Sequence, residues 1–164
     1  MYPPKPKPIH PGTEPFEEVI KDPRWVAEAK LDGYRGIYRQ GRLVTRQGKK
    51  MPGDIRRILT ALAGMPDGTI LDGEVTDIHG SPKFHVFDIP SAGGLLADRR
   101  KAIDSLHFNC HPVFVMHRIV KVEALLTAKL MGWEGVVFKR LDSTYRWQRS
   151  PVYCDINEWR KVRL

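Results

Sequence analysis

The stretch Trp25-Val26-Ala27-Glu28-Ala29-Lys30-Leu31-Asp32-Gly33-Tyr34-Arg35 sets a lysine between two carboxylates, with a glycine and an arginine close behind. Apolar packing requires no such spacing. From Val26 to Leu31 apolar and charged side chains alternate, which predicts a half-buried strand aiming Glu28, Lys30 and Asp32 at one face. Gly33 permits a turn or a close backbone approach, and residues 34–39 read as a second strand, so the pattern predicts a hairpin with Lys30 at its mouth. A lysine amine is protonated at neutral pH and becomes a nucleophile only where cations or desolvation depress its pKa, and Arg35 is one such cation. On these residues alone, a surface ion pair between Lys30 and Asp32 beside an ordinary turn explains the motif equally well.

Upstream, Pro3, Pro4, Pro6, Pro8 and Pro11 make residues 1–12 an extended lead-in outside the core, leaving residues 13–164 as one domain. Thr13 is placed to cap a short helix with Phe16, Val19 and Ile20 on one side, ended by Asp22-Pro23. Downstream, Gly41 turns the chain into a strand at 43–46, and 47–53 is a basic, glycine-marked loop. Ile55, Ile58, Leu59 and Leu62 recur at helical spacing, and a helix over 97–106 carries Arg99 and Arg100. A third helix follows the spacing of Val122, Leu125, Leu126 and Leu130. The strands predicted at 69–75, 83–89, 133–139 and 159–163 all mix apolar residues with charges, and 112–116 is strand-like.

A chain of 164 residues with 41% hydrophobic content suits one core. The formal charge of +8 implies attraction to polyanions, of which nucleic acid is the commonest for a basic domain. Lys and Arg recur at 30–57, 99–101, 139–149 and 160–163, which fits a folded basic surface better than a disordered arm. No apolar run reaches the roughly 18 residues of a membrane span, and the proline-rich start lacks a signal-peptide core, so a cytoplasmic protein without membrane contact is expected. Cys110 and Cys154 have no ligand-like spacing and are expected as free thiols; the histidines, including His79, His85, His107, His111 and His117, show no metal spacing.

Together, six elements resemble the nucleotidyltransferase domain of ATP-dependent DNA ligases, in the superfamily that includes RNA ligases and messenger-RNA capping enzymes. Glu28 to Arg35 resembles motif I, Thr45-Arg46-Gln47-Gly48 the Ser-Arg-x-Gly element, Asp72-Gly73-Glu74 motif III, and Phe84-His85-Val86-Phe87-Asp88-Ile89 motif IIIa. Glu134-Gly135-Val136-Val137-Phe138-Lys139 resembles motif IV and Trp159-Arg160-Lys161-Val162-Arg163 motif V, in family order over about residues 20–164. Thr45 stands for the usual serine and Arg163 for the second motif V lysine, and Trp147-Gln148 stands where the family tends to have Pro-Gly, which leaves the role of Arg149 open.

The resemblance implies an α+β nucleotidyltransferase (ATP-grasp-like) fold of antiparallel sheets flanked by helices. It implies that Lys30 attacks the α-phosphorus of ATP and holds AMP, that Asp32 supports it, and that Lys161 and Arg163 neutralise the α-phosphate and depress the pKa of Lys30. Glu28, Ala29 and Phe87 would meet adenine, Glu74 the ribose, Arg35 the ribose or phosphate, and Lys139, Arg46 and Arg149 phosphate. Glu134, with Glu74, would hold Mg²⁺ or another divalent cation, and Arg46, Lys49, Arg99 and Arg100 would contact nicked duplex DNA. Ligases of this family continue into an OB-fold domain bearing motif VI; this chain is expected to lack it, to act as a monomer, and to be served by a separate OB-fold or DNA-binding partner. The alternatives are an RNA ligase or RNA-capping guanylyltransferase using the same lysine, and a module that binds nucleotide or nick without catalysis.

Overall fold

The computed structural model describes residues 1–106, 108, 111–150, 152 and 155–164. Cys110, Cys154 and His107 lie outside the described residues. In chain order the elements are β1 (Lys5–Pro8), α1 (Glu14–Lys21), β2 (Trp25–Lys30), β3 (Tyr34–Arg39), β4 (Arg42–Thr45), α2 (Arg56–Leu62) and β5 (Ile70–Thr76). They continue with β6 (Lys83–Asp88), α3 (Leu96–Asp104), β7 (Val113–Val115), β8 (Arg118–Ile119), α4 (Ala124–Leu130), β9 (Gly135–Arg140) and β10 (Asp155–Arg163). Two units result, Met1–Leu31 with His117–Leu164, and Asp32–Met116.

The first unit is built on a sheet of order β1-β10-β9-β2-β8. Because side chains alternate along a strand, Trp25, Ala27, Ala29, Val136, Phe138 and Val162 share one face and are buried on it. Val19 of α1 and Ala124 and Ala128 of α4 join that core, with Phe16 edge-on to Phe138 at 6.2 Å between centroids. Burying a side chain the size of Phe138 contributes about 2–3 kcal/mol, so this face holds the unit together. On α4 the alanines face inward while Leu126 and Leu130 stay exposed, the reverse of what leucine spacing predicts; small side chains let the helix backbone approach the sheet. At α1, Thr13 takes the N-cap position, but its hydroxyl donates to His10 O at 2.6 Å instead of capping.

The proline-rich start is a strand and not a mere lead-in. Lys5–Pro8 pairs in parallel with β10, and Ile9 buries its side chain. An edge strand tolerates prolines because only one side of its backbone needs donors.

The second unit carries the sheet β4-β3-β5-β6-β7. Its core face is Tyr38, Leu43, Leu71, Val75, Phe84 and Val86, covered by Ile58 and Leu62 of α2 and Ile103 of α3. The turn Gln40-Gly41 has φ of 50° and 71°, the positive pair that two-residue hairpin turns need. The expected hairpin between β2 and β3 does not form: β2 pairs with β8 and β9, β3 with β4 and β5. Gly33 serves the other use open to it. A Cβ there would lie 2.3 Å from Val75 O, so only glycine lets the chain run this close to β5.

The architecture is thus α+β, with two largely antiparallel sheets and helices packed on them; β1 on β10 and β6 on β7 are the parallel exceptions. No helix among the described residues is long and apolar enough to cross a membrane.

Candidate active site

The face of the first sheet opposite its core carries the charges. Strand register aligns Lys30, Gly135 and Arg163 in one row, Glu28, Val137 and Lys161 in the next, and Val26, Lys139 and Trp159 in the third. Glu134 enters at the head of β9. Lys30 Nζ donates to Glu134 Oε2, and Arg163 Nε lies 3.0 Å from Glu134 Oε1. One carboxylate therefore holds the motif I lysine and the last motif V cation. Gly135 makes this possible: at φ 155° a Cβ would fall 2.0 Å from Val162 O, blocking the approach of β10. Burial first, then the charges of Arg163, Lys30 and Lys5, push the Lys161 amine below the usual lysine range, against an upward pull from Asp155. The lysines and arginine of motifs I and V thus converge electrostatically, as a polyphosphate site requires.

The third row is closed. Lys139 Nζ sits 2.6 Å from Glu28 Oε2, with both side chains 2% exposed, and 4.6 Å from the Trp159 ring centroid. Tyr145 meets Trp159 edge-on at 6.1 Å. Glu28 and Lys139, which the resemblance puts at the adenine edge and a phosphate, form a buried pair on the same face as Lys30, because a lysine this deep needs a counter-charge. Ala29 is buried in β2, on the core face. Arg149 is exposed and makes no hydrogen bond or ion pair among the described residues.

The second sheet also has a polar face. Arg35, Glu74, His85 and Phe114 stand in register across β3, β5, β6 and β7. Arg35 donates to both oxygens of fully buried Asp72, at 2.8 and 2.5 Å, and its guanidinium lies 5.2 Å over the Phe87 ring. Asp72 therefore fixes Arg35 against the aromatic expected under adenine, a role the sequence reading missed; its place two residues before Glu74 on one strand face was the available signal. His85, two residues before Phe87, stacks on Phe114 at 5.4 Å, and burial, then Lys83, push its pKa down. Asp32 is exposed, and its side chain makes no hydrogen bond or ion pair among the described residues.

The Thr45 hydroxyl accepts the Lys49 N–H at 3.2 Å while Thr45 N donates to Lys49 O at 2.8 Å, and Gly48 takes φ 77°. A threonine serves this loop as well as a serine, and the closure leaves Arg46 half-buried and Lys49 exposed. Arg99 and Arg100, expected on a DNA-facing helix surface, are 0% and 3% exposed. Arg99 donates to Asp88 at 2.6 and 3.1 Å and to Gly94 O at 2.9 Å; Arg100 donates to Met116 O at 2.6 Å. They are structural, because the buried Asp88 carboxylate and a strand-end carbonyl need donors that α3 supplies.

Among the described residues no three His, Cys, Asp or Glu side chains converge, so there is no all-protein metal cage. Mg²⁺ in phosphoryl-transfer sites needs only one or two carboxylates, with phosphate and water oxygens completing its shell. Glu134, 27% exposed beside Lys30, fits that donor set; Glu74 stands on the other sheet, in register with Arg35 and His85.

This strand order and these two polar faces are the nucleotidyltransferase fold of ATP-dependent DNA ligases. The ligase domain of Mycobacterium tuberculosis LigD matches with a TM-score of 0.68 at 23% identity, covering 98% of this chain and 59% of that one. A mycobacterial DNA ligase D complexed with ATP matches at 0.60 and 26% identity, over 85% of this chain and 54% of that one. In sequence the chain is similar to the multifunctional non-homologous end joining protein LigD of Pseudomonas aeruginosa, 30% identical over 194 residues, 98% of this chain and 22% of that protein. The chain thus spans about a fifth of the length of that relative. No protein-family model matches it.

Proposed function

We propose that this chain is the adenylation core of an ATP-dependent DNA ligase, which carries AMP on Lys30 and seals nicks in duplex DNA inside the cell. The observation that carries this reading is the row Lys30, Gly135, Arg163, with Glu134 bridging its two cations and Lys161 on the next rung. The Lys30 Nζ lone pair attacks the α-phosphorus of ATP, the bond to the bridging oxygen breaks, and pyrophosphate leaves, so that Lys30 holds AMP as a phosphoramidate. AMP then passes to the 5′-phosphate at a nick, and the 3′-hydroxyl displaces it. Lys161 and Arg163 offset the charge on the phosphate oxygens, and Asp32, two residues beyond Lys30, supports the lysine. Glu134 would hold the divalent cation, which supplies further charge neutralisation at phosphate. Arg35 and Glu74 bind ribose, Phe87 stacks on adenine, and Arg46 and Lys49 contact DNA phosphates. The ligase D solved with ATP supports the choice of nucleotide.

Intact mass after incubation with ATP or GTP and Mg²⁺ tests the reading. A gain of one AMP, followed by sealing of nicked DNA, is expected; a GMP adduct, sealing of RNA alone, or no adduct would overturn it in favour of a capping enzyme, an RNA ligase or a binding module. Phe87→Ala should weaken ATP binding about tenfold or more, the loss of one base stack, while the rate at saturating ATP changes little. Equilibrium titration against single-turnover rates separates the two.

A further inference from the structure

We propose that the tip of the β3–β4 hairpin and the loop behind it form a phosphate-binding edge for duplex DNA, centred on Arg39 and Arg42 with Lys49 and Lys50 beside them. The proposal rests on the DNA-ligase reading and extends its DNA contact at Lys49 to Lys50 and to the hairpin tip, Arg39 and Arg42, which that reading leaves without a role.

Residues 33–53 hold six basic residues and no Asp or Glu. Three other surface arginines take a carboxylate two residues away: Arg24 reaches Asp22 at 2.6 Å, Arg56 reaches Asp54 at 2.5 Å, and Arg140 reaches Asp142 at 2.7 Å. The side chains of Arg39, Arg42, Lys49 and Lys50 are exposed and make no hydrogen bond or ion pair among the described residues. Arg39 and Arg42 are moreover direct cross-strand partners, one on each side of the Gln40-Gly41 turn. Like charges directly opposite each other weaken a strand pair, and this fold sets two there without a counter-charge. An external polyanion offsets that repulsion.

The chemistry of the edge favours duplex over single strand. From residue 39 to residue 50 the chain has no aromatic side chain, so the edge can neutralise phosphates but offers no platform for unstacked bases. The hairpin leads into Arg46 and Lys49, already proposed at DNA, so these cations continue that contact.

The test is the double variant Arg39→Gln/Arg42→Gln in the 164-residue chain, titrated with a labelled nicked duplex between low and moderate salt. Two lost phosphate contacts should make the plot of log affinity against log salt shallower by about 2 and weaken binding at 0.1 M salt by roughly 60-fold. Adenylation of Lys30 should be unchanged, and the thermal midpoint equal or higher, since a repulsion has been removed. Lys49→Gln/Lys50→Gln should show the same slope change. Unchanged affinity and slope in both variants would overturn the proposal, as would loss of binding to phosphatidylserine vesicles with duplex binding intact, which assigns the edge to a lipid surface. Wild-type chain that neither binds duplex nor adenylates Lys30 would overturn the ligase reading itself, a distinct outcome.

Discussion

A Lys30→Ala variant incubated with ATP and Mg²⁺ is expected to gain no AMP, where the wild-type chain is expected to gain one per molecule. The effect is expected to be complete, because covalent catalysis has no partial substitute once the nucleophile is removed. Lys161 is the natural competitor: it lies one rung away, and burial and neighbouring cations push its pKa down. Lys161 nevertheless lacks the contact that sets Lys30 apart, the Glu134 carboxylate that fixes its amine at the end of β2. Lys30→Arg provides the control, since it keeps a cation for Glu134 but not a nucleophile, and it should fold like wild type yet remain unmodified. An adduct on Lys30→Ala, mapped by peptide mass to another lysine, would move the nucleophile and with it the whole assignment of the first sheet.

Arg99→Met should destabilise the chain by about 3–5 kcal/mol, because it leaves the Asp88 carboxylate buried without a counter-charge. Asp88 and Arg99 are both fully buried, two nitrogens of the guanidinium meet the two carboxylate oxygens, and a third bonds Gly94 O. A loss of that size is a large fraction of the stability of a domain of this length. Arg99→Met/Asp88→Leu should recover most of it, since two apolar side chains of similar volume need no partner. Urea denaturation of the three proteins measures the cycle. A loss below about 1 kcal/mol in Arg99→Met, together with weakened DNA binding, would return Arg99 to the surface and to the DNA contacts first expected of it.

What the sequence by itself determined was local and periodic. Strand alternation put Glu28 and Lys30 on one face of their strand, opposite Ala27 and Ala29, and the structure keeps that parity. The motif order points to Lys30, Glu134 and the motif V cations, and the structure brings Glu134 into contact with Lys30 and Arg163. The tertiary structure decided what parity does not contain. It decided which strand lies beside which, so that Gly33 carries the chain from one sheet to another instead of closing a hairpin. It also decided which charges are buried. Arg99 and Arg100 read as a solvated helix face and Lys139 as a phosphate ligand because their counter-charges, Asp88 and Glu28, and the acceptor Met116 O are remote in sequence. The energy of a charge depends on what surrounds it in space, and only folding brings those surroundings together.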